Sequence, residues 1–297
     1  MAWEYEGIFE RIPETTMPMR EGEQTTFWQA TDTAAQAGRM QYRTRTIKSG
    51  DMLEAEVYPI WGRDQTDRAR KARENLTPVK QQKVNQRRRE RYFERLVEAN
   101  FTEKDIHLTL TFAEGVRLRE AQKDVRNFLK RVKRRREQQG LDDLKYIYVI
   151  EGDPEGRRQR IHAHMLMNGG LDRQELERIW GKGFTNADQL QPDDNGLQAL
   201  ARYLMKQRKD EDWQQGRRTW CASRNLKKPQ QRVSDTKVSN RRVKQMATGF
   251  DHVAREIMEK IYPGYRFCEC DVMISDYVSG VYIRCKLRKR REGHNSV

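Results

Sequence analysis

The sequence predicts an α+β chain built round one antiparallel sheet, and three observations predict it. Residues 106–112 alternate Thr with large apolar side chains at the period of a strand. Leu118, Val125, Phe128, Leu129 and Val132 recur at three- and four-residue spacing, the stripe of an amphipathic helix. Residues 145–151 and 161–167 are two further apolar runs joined by GDPEGRRQR, a hairpin with a long basic loop. Over 106–210 the order becomes β-α-β-β-α-β-α. One sheet of split-βαβ, ferredoxin-like type with helices on one side satisfies that order.

The elements follow in chain order. Residues 40–63 alternate round a Ser49-Gly50-Asp51 turn signal and read as a hairpin. Residues 66–99 read as helix interrupted by Pro78. The helix over 117–138 ends at Gly140, and its outer face is almost wholly basic. Asn168-Gly169-Gly170 closes the 161–167 strand, and Asp172 caps a helix over 173–180. A short strand is expected at 184–190, then a helix over 196–210 opened by Asn195. An irregular basic stretch leads to a helix over about 238–261 and a last hairpin in 265–287 turning at Ser279-Gly280. The expected organisation is an N-terminal extension (1–100), a core (101–212) and a basic C-terminal extension (213–297).

Composition narrows the function classes. The 297 residues carry 59 Lys and Arg against 44 Asp and Glu, a formal charge of +15. The positive charge falls in blocks: ten Lys and Arg within 117–136, others at 87–91, 202–244 and 284–291, while 1–30 hold six Glu. Such blocks are the footprint of a polyanion, because each cation set on a phosphate releases counterions. Nucleic acid is the expected partner. No apolar run is long enough to span a bilayer, so no membrane partner is expected. The acidic start is unlike a secretory signal, and four Cys without a framework spacing fit a reducing cytoplasm.

Two of the five His, His162 and His164, lie one residue apart in a strand, so both imidazoles face one side of the sheet. Glu151 ends the preceding strand, and the hairpin returns it beside His162. Two imidazoles and a carboxylate can share a metal ion and leave positions open for water or a phosphate oxygen. The two His can equally be hydrogen-bonded on a sheet surface. Tyr203 and Lys206 lie at i and i+3 of the following helix, hence on one face. A phenol becomes a useful nucleophile when a cation sits nearby; packing of Tyr203 beside a solvated Lys206 is the alternative. Arg134, Arg135 and Arg136 on the basic helix, Arg157, Arg158 and Arg160 in the loop, and Lys227 and Lys228 further on are the candidate nucleic-acid contacts. Trp180, Trp213 and Trp220 flank basic segments and can stack on bases. Cys268, Cys270 and Cys285 are candidates for a thiolate site or for small buried residues. Gly181-Lys182-Gly183 lacks the spacing of a phosphate loop.

Leu108 to Phe112, then His162-Ala163-His164, then Tyr203-Leu204-Met205-Lys206 stand in an order that resembles the HUH endonucleases, and within them the single-tyrosine initiators of rolling-circle replication on bacterial plasmids, prophages and related mobile elements. The resemblance extends to 45–51, to 85–89 with 100–102, and to 223–229. It implies a ferredoxin-like, RRM-like core and Mg²⁺ or Mn²⁺ held by His162, His164 and Glu151. It further implies attack by Tyr203 on single-stranded DNA at a replication origin, assisted by Lys206. A 5′-phosphotyrosine and a free 3′-OH for a host polymerase would result, with a host helicase as further partner. Two departures stand out. No third His follows His164, and the long loop leaves Asp153 as an alternative third ligand. A single-tyrosine transposase or mobilisation relaxase shares this chemistry. An RRM-like binding protein without enzymatic activity would instead present Tyr146 and Tyr148 to bases.

Overall fold

The computed structural model describes residues 7–11, 40–152, 160–206, 220–249 and 251–290. The strands are β1 (Glu10–Arg11), β2 (Gln41–Ser49), β3 (Met52–Ile60), β4 (Ile106–Thr111), β5 (Tyr146–Glu151), β6 (His162–Met167), β7 (Thr185–Gln189), β8 (Cys221–Ala222), β9 (Gln230–Ser234), β10 (Tyr265–Ile274) and β11 (Tyr282–Lys289). The helices are α1 (Arg63–Glu74), α2 (Pro78–Asn100), α3 (Leu118–Gln138), α4 (Arg173–Trp180), α5 (Gln198–Lys206), α6 (Asn240–Thr248) and α7 (Asp251–Ile261). Among the described residues no helix is long and apolar enough to cross a membrane.

The chain divides into two units, one of residues 92–228 and one of residues 1–91 with 229–297. In the first, five antiparallel strands run in the order β7-β4-β6-β5-β8. The inner four have the ferredoxin-like order that the sequence predicts. Alternation explains why both faces are apolar. Leu108, Leu110, Ala163 and Met165 face one way and bury against Val125, Phe128 and Val132 of α3 and Leu176 and Trp180 of α4. Ile147, Val149 and Leu166 face the other way and bury against Phe93 and Val97 of α2 and Ala201 and Leu204 of α5. Helices therefore cover both faces, not one as expected. Each fully buried large side chain contributes about 1.5–3 kcal/mol, so this double burial fixes the register on which the site depends.

Several boundaries follow from local chemistry. Pro78 is the first residue of α2, where its missing N–H costs nothing. The Asp172 carboxylate accepts the Glu175 amide at 2.9 Å and starts α4. Gly181, at φ 58°, ends it. The helix expected from residue 196 begins at Gln198, because Asp193 and Gly196 first close a tight turn through reciprocal backbone bonds. The helix expected over 238–261 is two helices, broken at Gly249.

The second unit holds six strands in the order β1-β10-β11-β3-β2-β9. Segments read as separate N- and C-terminal extensions thus share one sheet, since β11 pairs with both β10 and β3. Strand pairing across more than two hundred residues leaves no local periodic signal. One row of this sheet sets Arg45, Glu56, Arg284 and Asp271 side by side, alternating in charge across four strands. Arg45 hydrogen-bonds Glu56, and Arg284 donates to Asp271 at 2.5 Å. Cys270 lies opposite Cys285 with Cα atoms 4.0 Å apart, and a disulfide joins them. Two of the three cysteines considered for a thiolate site are thereby occupied.

Candidate active site

Strand register builds the site. Glu151 on β5 lies directly opposite His162 on β6, and Val149 opposite His164. On the other side of β6, Thr111 and Thr109 oppose His162 and His164. All these side chains project from the face covered by α2 and α5, while α3 lies on the reverse face.

The three expected ligands converge. One ligand atom from each of Glu151, His162 and His164 lies within 4.8 Å of the others. His162 Nε2 is 3.4 Å and His164 Nε2 3.9 Å from Glu151 Oε2. The outward nitrogens are held by other groups. His162 Nδ1 donates to the Arg160 carbonyl at 3.2 Å, and His164 Nδ1 lies 3.2 Å from the Thr109 hydroxyl. Both Nε2 atoms are thus turned inward, as an orienting hydrogen bond does for a metal-binding His.

The electrostatics of the trio are uneven. The hydrogen bond to Glu151 is the main reason that the His162 pKa lies above its ordinary value, with burial opposing it. Burial, then the neighbouring His162 and His107, lower that of His164 to about 4. It is neutral at pH 7, the form a ligand needs. Glu151 Oε1 and His164 Nε2 are buried and have no hydrogen-bond partner. Buried polar atoms left in this way are destabilising. A divalent cation between them would satisfy both, so the residues present fit a metal ion.

Tyr203, on α5, stands over this cluster with its ring centroid 6.1 Å from that of His164. Ala201 and Leu204 anchor the helix in the core, whereas Tyr203 is 48% exposed. Its phenol is open to a large substrate. Arg202 reinforces the placement by donating to Glu94 of α2 at 3.1 Å. Lys206 is the last residue of α5; its side chain, together with Asp153, Arg157, Arg158 and Trp213, lies outside the described residues.

One residue escaped the sequence reading. His107 of β4 stacks on His164, centroids 5.4 Å apart and planes 23° apart. Burial lowers its pKa, with Asp188 opposing. The signal was available: in IHLTLT the alternation that puts Thr109 beside His164 puts His107 on the same face.

The predicted DNA contacts fare differently. Arg136 is 3% exposed and donates to the carbonyls of Asp142 (3.0 Å), Asn168 (3.2 Å) and Gly169 (2.7 Å). It is a structural residue, a correction to its grouping with Arg134 and Arg135. Arg135 pairs with Glu175, and Arg134 is exposed. Any contact made by α3 falls on the reverse of the sheet from the histidines. Arg160 pairs with Glu114, while Lys227 and Lys228 are exposed. Trp180 is buried and donates to the Thr111 carbonyl at 2.9 Å, so it stacks on no base. Tyr146 and Tyr148 face α3, and Tyr148 is buried. The open aromatic sheet face of an RRM-like binder is therefore not formed by these two residues.

Residues 105–208 match the family model of the replication-associated protein ORF2. No curated protein and no solved structure matches the chain. The matched stretch contains β4, β5, β6 and α5, and with them His107, Glu151, His162, His164 and Tyr203. It suggests a replication initiator.

Proposed function

We propose that this chain initiates rolling-circle DNA replication by nicking and rejoining single-stranded DNA through a covalent 5′-phosphotyrosine on Tyr203, as single-tyrosine HUH endonucleases do. The observation that carries the proposal is the placement of an exposed phenol over a buried Glu-His-His cluster, inside the stretch that matches a replication-associated family. Glu151, His162 and His164 would hold Mg²⁺ or Mn²⁺. Bound there, the ion supplies Lewis-acid polarisation of the scissile phosphate.

The chain's own residues do the rest. The Tyr203 oxygen forms a bond to phosphorus and loses its proton, while the bond from phosphorus to the 3′ oxygen breaks and that oxygen leaves as a 3′-OH. One phosphodiester is exchanged for another, so a later 3′-OH can reverse the step and free the phenol. Lys206, three residues on, is assigned to balancing charge on the phosphate. Thr109 and the Arg160 carbonyl keep the imidazoles oriented, and His107 packs behind His164. A host polymerase would extend the 3′-OH, with a host helicase opening the duplex.

The test is to mix the full chain with single-stranded candidate origin DNA and Mn²⁺ or Mg²⁺ and to look for a denaturation-resistant adduct. Tyr203→Phe should retain DNA and metal binding and form no adduct, because only the phenolic oxygen is removed. An adduct that persists in Tyr203→Phe or in excess chelator would overturn the assignment.

A further inference from the structure

A second surface of the same unit is built to hold a polyanion. Arg126, Lys130 and Lys133 of α3 line a groove whose other wall is the segment that follows β8, with Arg224 in it and Tyr146 and Asp143 among the remaining lining residues. Four cations thus face one carboxylate. Among the described residues, Arg126, Lys130 and Arg224 form no ion pair, and all three are exposed. Lys133 has only an exposed pairing with Glu137 at 3.7 Å.

The spacing suits a strand of phosphates. Residues 126, 130 and 133 lie on one helical stripe spanning about 10 Å, over which a DNA strand in duplex geometry presents about three phosphates.

The far wall is anchored rather than loose. The Ser223 amide donates to the Tyr146 carbonyl at 2.9 Å, and the Tyr146 amide donates to the Ser223 hydroxyl at 3.1 Å. Asn225 donates to the Leu144 carbonyl at 3.2 Å. Further on, Asn100 accepts the Lys227 amide at 2.7 Å and donates to the Lys227 carbonyl at 2.9 Å. Arg224 is therefore held opposite α3 before any ligand arrives, and little ordering remains when one binds. A half-buried tyrosine in a cationic groove is the combination that accepts single strands without regard to sequence. Because Tyr146 faces α3 and the histidines face α5, this groove is separate from the candidate active site.

We propose that this groove binds the phosphodiester backbone of single-stranded DNA independently of metal and of cleavage, on a surface distinct from the Tyr203 face. The choice of DNA rests on the function proposed above.

The experiment uses the full chain carrying Tyr203→Phe, in excess chelator, with labelled oligothymidylate titrated over a range of salt. Replacing Arg126, Lys130 and Arg224 together with Gln should reduce the slope of log affinity against log salt by about 2, at about 0.7 per lost phosphate contact. Over a fourfold rise in salt the triple variant would lose about sixteenfold less affinity than its parent. Arg224→Gln alone should give about a third of the change, and it serves if the triple variant melts early. Arg119→Gln, an exposed arginine of α3 outside the groove, should leave the slope as it was. An unchanged slope in the groove variants overturns the proposal, as does an equal change from Arg119→Gln, which would mean diffuse attraction. Adduct formation by the wild-type chain is read separately. A groove effect without any adduct keeps the groove and removes the nicking chemistry; an adduct without a groove effect does the reverse.

Discussion

Replacing Arg136 with Gln separates folding from DNA binding within a single basic run. The guanidinium is buried and gives three hydrogen bonds of 2.7–3.2 Å to the carbonyls of Asp142, Asn168 and Gly169. Burial, the larger influence, lowers its pKa, and Asp142 and Asp105 raise it. It thereby ties the end of α3 to the loop that enters β5 and to the turn that leaves β6. A buried acceptor left without its donor costs about 1–3 kcal/mol. Gln can keep one of the three bonds, and water can reach part of the rest, so a net loss of about 3 kcal/mol is expected. For a unit of this size that lowers the melting temperature by about 10 °C. The measurement is a thermal melt by circular dichroism beside a salt titration of oligonucleotide affinity at a temperature where both proteins are folded. Arg136→Gln should melt early and bind with an unchanged salt slope, whereas Arg134→Gln should melt with the wild type. If Arg136→Gln melts like the wild type and flattens the slope, the structural assignment is refuted and the residue belongs with the DNA contacts.

Three further outcomes follow from the site. Gly152, at φ 111°, has no room for a side chain, because a Cβ would lie 2.7 Å from the Arg160 carbonyl oxygen. Gly152→Ala should therefore push apart the strand ends carrying Glu151 and His162 and lower Mn²⁺ affinity in calorimetry at least tenfold; an unchanged affinity would show that the ligands do not depend on this close approach. In the metal-free protein the raised pKa of His162 makes its pairing with Glu151 stabilising below the unfolded His value of about 6.5, and that contribution is lost as pH rises through the folded value. Metal must displace the same proton, so Mn²⁺ affinity should climb with pH over that window, and Glu151→Gln should lower affinity and weaken the climb. His164 acts with the opposite sign: its neutral form stabilises the fold above pH about 6.5, and roughly 3 kcal/mol is lost as pH falls towards about 4. His164→Asn should remove most of that acid sensitivity from chemical denaturation curves measured without metal, and acid sensitivity equal to the wild type's would show that His164 does not titrate as described.

The site was legible in the sequence to the extent that its geometry is local. Side chains at i and i+2 of a strand share a face, so His162 and His164 were paired by spacing, and a hairpin whose ends meet brings Glu151 to His162. What the sequence hid depends on neighbours supplied from afar. In β3, Glu54 and Glu56 alternate with apolar residues and look solvent-facing, yet both are buried. The register sets Glu56 beside Arg45 and Arg284 and Glu54 beside Lys286, and such compensation is what makes a buried carboxylate tolerable. The cations come from a neighbouring strand and from the far end of the chain, so no window along the sequence contains the reason. Arg136 is a different case. It stands in a run of three arginines that composition cannot tell apart, but the apolar stripe of α3 passes through Val125, Leu129 and Val132, and the next step of four is residue 136. Helical phase, applied to the charged residues as strictly as to the apolar ones, separates the arginine that holds the fold from the two beside it that face outward.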